Sequence, residues 1–210
     1  MTLPPLIHAD DALLAVDKPA DLLAVPGRGP QNADCVSVRV QRVYPDALIV
    51  HRLDMATSGL LLLARGPVVQ RALSVAFAER RVDKTYVAVV DGLIADDSGE
   101  ITLPLIADWP NRPRQKVDID HGKPSLTRWH VLSRDEASGR TRVALHPFSG
   151  RSHQLRVHLM AIGHAIVGDT LYAPPTVATA AARLLLHASR LQLAHPLTEQ
   201  ALDLRSAPPF

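Results

Sequence analysis

At 210 residues with 47% hydrophobic content, the chain can bury one good core or at most two small ones. One cysteine, Cys35, rules out an internal disulfide framework, no signal-like opening precedes the first apolar residues, and no apolar run approaches membrane-spanning length; a reducing cytoplasmic setting is expected. The net charge of +2 does not by itself name a polyanionic partner, so the placement of the charges carries more weight than their sum.

A polar, proline-containing lead gives way to Ala12-Leu13-Leu14-Ala15-Val16, a strand stopped by Asp17-Lys18-Pro19. Leu22-Leu23-Ala24-Val25 reads as a second short strand, ended at Pro26-Gly27. Val36, Val40 and Val43 recur at helical spacing, with Asp34 as the expected cap and Pro45 as the stop. Two apolar runs, Ala47 to Val50 and Leu60 to Ala64, then bracket the polar stretch His51-Arg52-Leu53-Asp54-Met55-Ala56-Thr57-Ser58-Gly59. This pattern reads as strand, turn, strand, with Asp54 held at the edge of a core. On the turn alone, Asp54 could close an Asx-type turn or cap a short helix just as well as do chemistry.

Pro67 suits a first helical position, and Val69, Leu73, Ala76 and Phe77 line one face, which predicts a helix from Pro67 to Arg80. Asp83 to Val90 is a strand carrying Tyr86, and Glu100 to Leu103 another. From Ala107 to Val117 two prolines argue against regular structure; there Trp109 accompanies the cations Arg112, Arg114 and Lys116. Leu126 to Leu132 and Thr141 to Leu145 form a hairpin around Ala137-Ser138-Gly139. In Gly150-Arg151-Ser152-His153-Gln154-Leu155-Arg156 and beyond, Leu155, Leu159 and Ile162 predict an amphipathic helix ended by Gly163, with His153 and Arg156 on one face. No Asp or Glu falls between Arg140 and Gly168, while Arg140, Arg142, Arg151, Arg156 and His146, His153, His158 and His164 do. A local positive field of this kind suits a phosphate backbone, and equally a solvated basic face. Short strands around Pro196 close the chain, and His187 reads as a core histidine.

Six segments resemble one family. HRLDMATSGLLLLAR is similar to the central motif of the RluA family of RNA pseudouridine synthases; DKPADLL, KTYVA, GRSHQLR and LLLHA resemble its other motifs, and DWPNRPRQKV is similar to the corresponding segment of its dual-specificity members. The resemblance implies that Asp54 is the catalytic carboxylate, that Tyr86 stacks on the target base, and that Arg156 pairs with Asp54. It also implies that Arg52 fills the space left by a flipped uridine. Together with His51, Arg112, Arg114, Lys116, Arg151 and His153, Arg52 makes up the expected RNA-binding set. The implied fold is α+β, a pseudouridine synthase fold with a mixed, largely antiparallel central sheet flanked by helices and loops around an RNA-binding cleft.

The expectation is therefore a single catalytic domain over residues 1–210 without a separate N-terminal RNA-binding domain, acting as a monomer. The implied substrates are a uridine in 23S ribosomal RNA and one in the anticodon stem-loop of tRNA, with Asp54 as nucleophile or as base. A relative restricted to ribosomal RNA, a non-catalytic RNA-binding module and an N-glycosidase releasing free uracil are the other readings. No phosphate-binding glycine loop, dinucleotide fingerprint or HExxH stands in the sequence, and one cysteine cannot build a cysteine-rich zinc site, so no cofactor and no metal are expected.

Overall fold

The computed structural model describes residues 2–210. In chain order its elements are β1 (Leu6–Ala9), β2 (Leu13–Lys18), α1 (Val36–Gln41), β3 (Ala47–Ile49), β4 (Ser58–Arg65), α2 (Pro67–Ala78), β5 (Asp83–Asp91) and β6 (Ser98–Ile101). They continue with β7 (Leu105–Ala107), β8 (Gln115–Val117), β9 (Thr127–Asp135), β10 (Arg140–Pro147), α3 (Gln154–Ala161), α4 (Pro175–Ala178), β11 (Leu186–Ala194) and β12 (Ala201–Arg205). The fold is α+β with mixed sheet pairing, and the chain divides into two compact units. One holds the residues up to Lys84 together with His187–Pro209; the other holds Thr85–Leu186 and Phe210.

The first unit is built on β4. Its sequence SGLLLLAR is apolar without alternation because both faces are covered and both edges are paired. Along one edge β2 runs antiparallel from Leu13 opposite Ala64 to Lys18 opposite Gly59. The other edge is shared: β3 takes its C-terminal end antiparallel, and β11 takes its first two residues parallel, His187 opposite Ser58 and Ala188 opposite Gly59. β1 extends the sheet beyond β2, and β12 pairs with β11. Helix α2 lays Val69 and Leu73 on Leu60, Leu62 and Ala64, with Ala76 and Phe77 at the margin of the same core, as its apolar spacing predicts.

In the second unit β5, β10, β9 and β6 pair antiparallel in that order. The expected hairpin is β9–β10. Helix α3 ends at Gly163, whose φ of +88° is open to glycine.

Within the polar lead, Leu6–Ala9 pairs with β2. Four local expectations are corrected. Leu22–Val25 is not a strand but touches the helix-bearing segment through a single bridge, Leu23 to Cys35. Asp34 does not cap α1; its carboxylate grips the Arg39 guanidinium at 2.8 and 2.6 Å, the N-cap is Cys35, and Val43 lies past the helix end, exposed. Residues 105–117 are not a plain loop but the hairpin β7–β8, the prolines sitting in its connection where no ladder amide is needed. Finally, α3 is not amphipathic: Gln154, Leu155, Arg156, Val157, His158 and Leu159 are all buried, and His153 stands before the helix in the left-handed region. The helix is enclosed because its polar side chains are bonded internally, a property that apolar periodicity does not report.

Candidate active site

The turn that carries Asp54 leaves β3 and re-enters the sheet at β4, and the Asp54 carbonyl closes it by accepting the Thr57 amide at 3.1 Å. Leu53 and Thr57 are buried on either side of Asp54, which leaves the Asp54 side chain half-buried and Arg52 and Met55 exposed. Three fixed points hold the segment. On the N-terminal side, His51 stacks on Phe77 with ring centroids 4.5 Å apart, and its Nε2 accepts the Leu62 amide at 2.9 Å. Burial, and secondarily the charge of Lys84, drive the His51 pKa down to about 3, so the ring is neutral. His51 thus serves as an acceptor within the fold and carries no charge toward a phosphate.

Beneath the turn, the ammonium of fully buried Lys18 donates to the carbonyls of Pro19 (2.9 Å), Leu22 (2.7 Å) and Met55 (2.9 Å). This explains why DKP precedes the motif: the lysine ties its own loop to the residue after Asp54. On the C-terminal side, Ser58 Oγ bonds His187 Nδ1 at 2.8 Å, and His187 Nε2 bonds Ser206 Oγ at 3.0 Å, all three buried. His187 is the satisfied core histidine expected.

Tyr86 and Arg156 belong to the second unit. Tyr86 is half-buried on β5 opposite Leu145. Arg156 is held by Asp169 through Nε at 2.8 Å and Nη2 at 2.6 Å, both side chains almost wholly enclosed. Asp169 Oδ1 also accepts the Leu171 and Tyr172 amides, and the Tyr172 ring faces the guanidinium at 5.0 Å. A planar, bidentate and further bonded pair is the geometry in which a buried guanidinium is tolerated. Sequence reading singled out Arg156 and passed over Asp169, whose signal is its place in the segment Gly168-Asp169-Thr170-Leu171-Tyr172.

The remaining expected contacts gather near Tyr172 and on the hairpin. His153 Nδ1 lies 2.6 Å from Tyr172 Oη, which accepts the Gln115 amide at 2.8 Å. Arg114 faces the same ring at 5.4 Å. Arg112 stacks at 3.7 Å on Trp109, which is 68% exposed. Lys116 lies 3.4 Å from Asp118, and Arg151 reaches the Pro124 carbonyl at 3.4 Å; both are exposed. Asp118, Asp120 and His121 have ligand atoms within 4.8 Å of one another, but they sit on an exposed loop where Asp118 already accepts the His121 amide.

A protein-family model described as RNA pseudouridylate synthase matches residues 12–161. The chain belongs to that family and, by class, is an RNA pseudouridine synthase. Within the family it is similar to the dual-specificity RNA pseudouridine synthase RluA of Yersinia pestis, 51% identical over 91% of this chain and 92% of the relative. The protein of that name from Escherichia coli (strain K12) is 46% identical over 98% of this chain and 93% of its own length. Among solved structures, human RNA pseudouridylate synthase domain containing 1 superposes with a TM-score of 0.81 at 28% identity, covering 98% of this chain and 83% of that one. No helix among the described residues is long and apolar enough to cross a membrane.

Proposed function

We propose that the chain isomerises a uridine in 23S ribosomal RNA and a uridine in the anticodon stem-loop of tRNA to pseudouridine, in the cytoplasm, as a monomer without a cofactor. The observation that carries this reading is the Asp54 turn, fixed at His51, Lys18 and Ser58 while its carboxylate stays within reach of solvent, in a chain similar over more than nine-tenths of its length to dual-specificity relatives.

The reaction breaks the bond from N1 to the sugar, turns the uracil and joins C5 to the same sugar carbon; C5 gives up a proton and N1 takes one, and no water is consumed. One carboxylate suffices, as nucleophile or as base, whereas glycoside hydrolysis calls for a pair. We assign that role to Asp54. Tyr86 stacks on the uracil and retains it between bond breaking and bond making. To Arg156, held by Asp169, we assign the role of partner to the catalytic carboxylate. Arg52 enters the stack that the flipped uridine leaves. Arg112, Arg114, Lys116, Arg151 and His153 contact the RNA backbone, with Trp109 as a stacking surface. Both units work as one catalytic domain.

The test is tritium release from C5-labelled uridine in a tRNA anticodon stem-loop and in 23S RNA fragments. Release from both is expected, falling at least about 10³-fold in Asp54→Asn. Release from ribosomal RNA alone would reassign the chain to a single-target enzyme. Binding without release would make it an RNA-binding module, and free uracil in the supernatant an N-glycosidase.

A further inference from the structure

Strand β5 opens with Asp83-Lys84-Thr85-Tyr86, and side chains two residues apart leave a strand on the same side. Lys84 therefore projects from β5 on the side of Tyr86. Its surroundings are poor for a cation. Lys84 is half-buried, and among the described residues no carboxylate or carbonyl forms an ion pair or hydrogen bond with its ammonium. The Arg80 guanidinium is near enough to repel it, and Asp83 is the one charge that favours it; burial and Arg80 together lower its pKa. Glu79, the other carboxylate of the segment, is taken by Arg81 at 2.8 Å. The Lys84 charge is also felt by His51, which is neutral and whose chain neighbour is the exposed Arg52.

Arg80 is also held in place at some cost. It follows α2 with a φ of +60°, a conformation that side chains other than glycine seldom adopt, its amide bonded to the Phe77 carbonyl at 3.2 Å. A half-buried cation without a carboxylate or carbonyl partner is thus kept within range of a second cation on a strained backbone, close in the chain to Phe77, the ring on which His51 stacks. In the free protein this arrangement is destabilising, and an anion would relieve it.

We propose that Lys84, with Arg80 beside it, is a phosphate-binding site that grips the RNA backbone next to the flipped uridine. The proposal rests on the pseudouridine synthase reading for the identity of the RNA. A phosphodiester is the anion that must accompany a nucleotide whose base meets the Tyr86 ring, two residues along the strand from Lys84. A lysine half out of water also gives up less hydration on meeting it than a fully exposed one.

Lys84→Met keeps the buried stem and removes the charge, so it separates anchoring from packing. The probe is an anticodon stem-loop transcript, with dissociation constants measured for Asp54→Asn, which leaves the RNA unmodified, and for Asp54→Asn combined with Lys84→Met. We expect affinity to fall roughly tenfold and the slope of log Kd against log salt to fall by about 0.7, the value for one lost phosphate contact on a single strand. With Asp54 intact, Lys84→Met should raise KM by a similar factor with kcat within about threefold, Lys84→Arg should restore binding, and the Tm of Lys84→Met without RNA should equal or exceed that of the parent. An unchanged Kd and slope, or a lowered Tm with unchanged Kd, would make Lys84 a packing residue and overturn the proposal; so would a loss of kcat at constant KM and slope. Absence of tritium release from the parent protein would refute the enzyme reading alone, because the salt slopes still decide whether Lys84 holds a phosphate.

Discussion

At the scale of single residues, the first unit fixes the turn that carries Asp54 with groups whose protonation is set by the fold. His51 has an ordinary pKa of 6.5 and a native one of about 3, chiefly through burial. Above pH 6.5 the ring is neutral in both states and its packing contributes in full. As pH falls below that, the unfolded chain takes up a proton that the native chain refuses, so stability is lost at up to about 1.4 kcal/mol per pH unit. His158 behaves in the same sense. It is enclosed by Ser125, Thr127 and the Leu103 carbonyl, and burial outweighs the carbonyl in lowering its pKa. Denaturant unfolding between pH 7 and pH 5 should therefore show a proton uptake on unfolding that grows toward the acid end, with His51 contributing close to one proton and His158 adding to it. His51→Gln, whose amide oxygen can still accept the Leu62 amide, should remove up to one of these protons. If the pH slope of the variant equals that of the parent, His51 is protonated in the native state and the account of the turn fails.

At the scale of elements, one close approach of backbone to backbone borders the same turn. Gly59 is the second residue of β4, opposite Ala188 in the parallel pairing with β11, and has a φ of +110°. A methyl group there would lie 2.3 Å from the Ala188 carbonyl oxygen and 2.6 Å from its nitrogen, backbone atoms that cannot turn aside. Gly59→Ala should cost about 2–4 kcal/mol and, with Asp54 in the proposed role, also reduce turnover, because Ser58, held by His187, marks the end of the Asp54 turn. Urea unfolding and tritium release measure the two effects; a variant of unchanged stability would show that β11 is free to move away. The elements also show what periodicity could and could not reveal. β4 and α2 were legible because their apolar patterns coincide with what they bury. The enclosure of α3 was not, since Gln154, Arg156 and His158 are polar in sequence and are buried only by virtue of partners elsewhere, Asp169 and Thr127 among them. Lys18 was hidden for the same reason. A lysine is read as solvated until three carbonyls, two from its own loop and one from the Asp54 turn, are seen around its ammonium.

For the molecule as a whole, a net charge of +2 conceals how the cations are spent. Arg39, Arg128, Arg134, Arg156 and Arg190 are each in contact with a carboxylate, so they stabilise the fold and leave little field outside it. Arg112 and Arg114 instead lie against rings, over Trp109 and Tyr172, where the aromatic face orients the guanidinium without cancelling its charge. A hairpin that displays cations in this way, on strands only three residues long, suits recognition of a phosphate backbone more than it suits stability. Replacing Arg112 and Arg114 together by Gln should leave Tm within about a degree or two of the parent, since neither side chain is in a core. It should raise KM for the tRNA stem-loop and for the 23S fragment by about tenfold or more at low salt, with kcat nearly unchanged, and the two substrates should converge toward the parent's values as salt screens the field. A matched loss on both RNAs would identify the hairpin as a general backbone contact. A loss confined to one would make it the element that separates the two targets, and no loss on either would place recognition elsewhere on the chain.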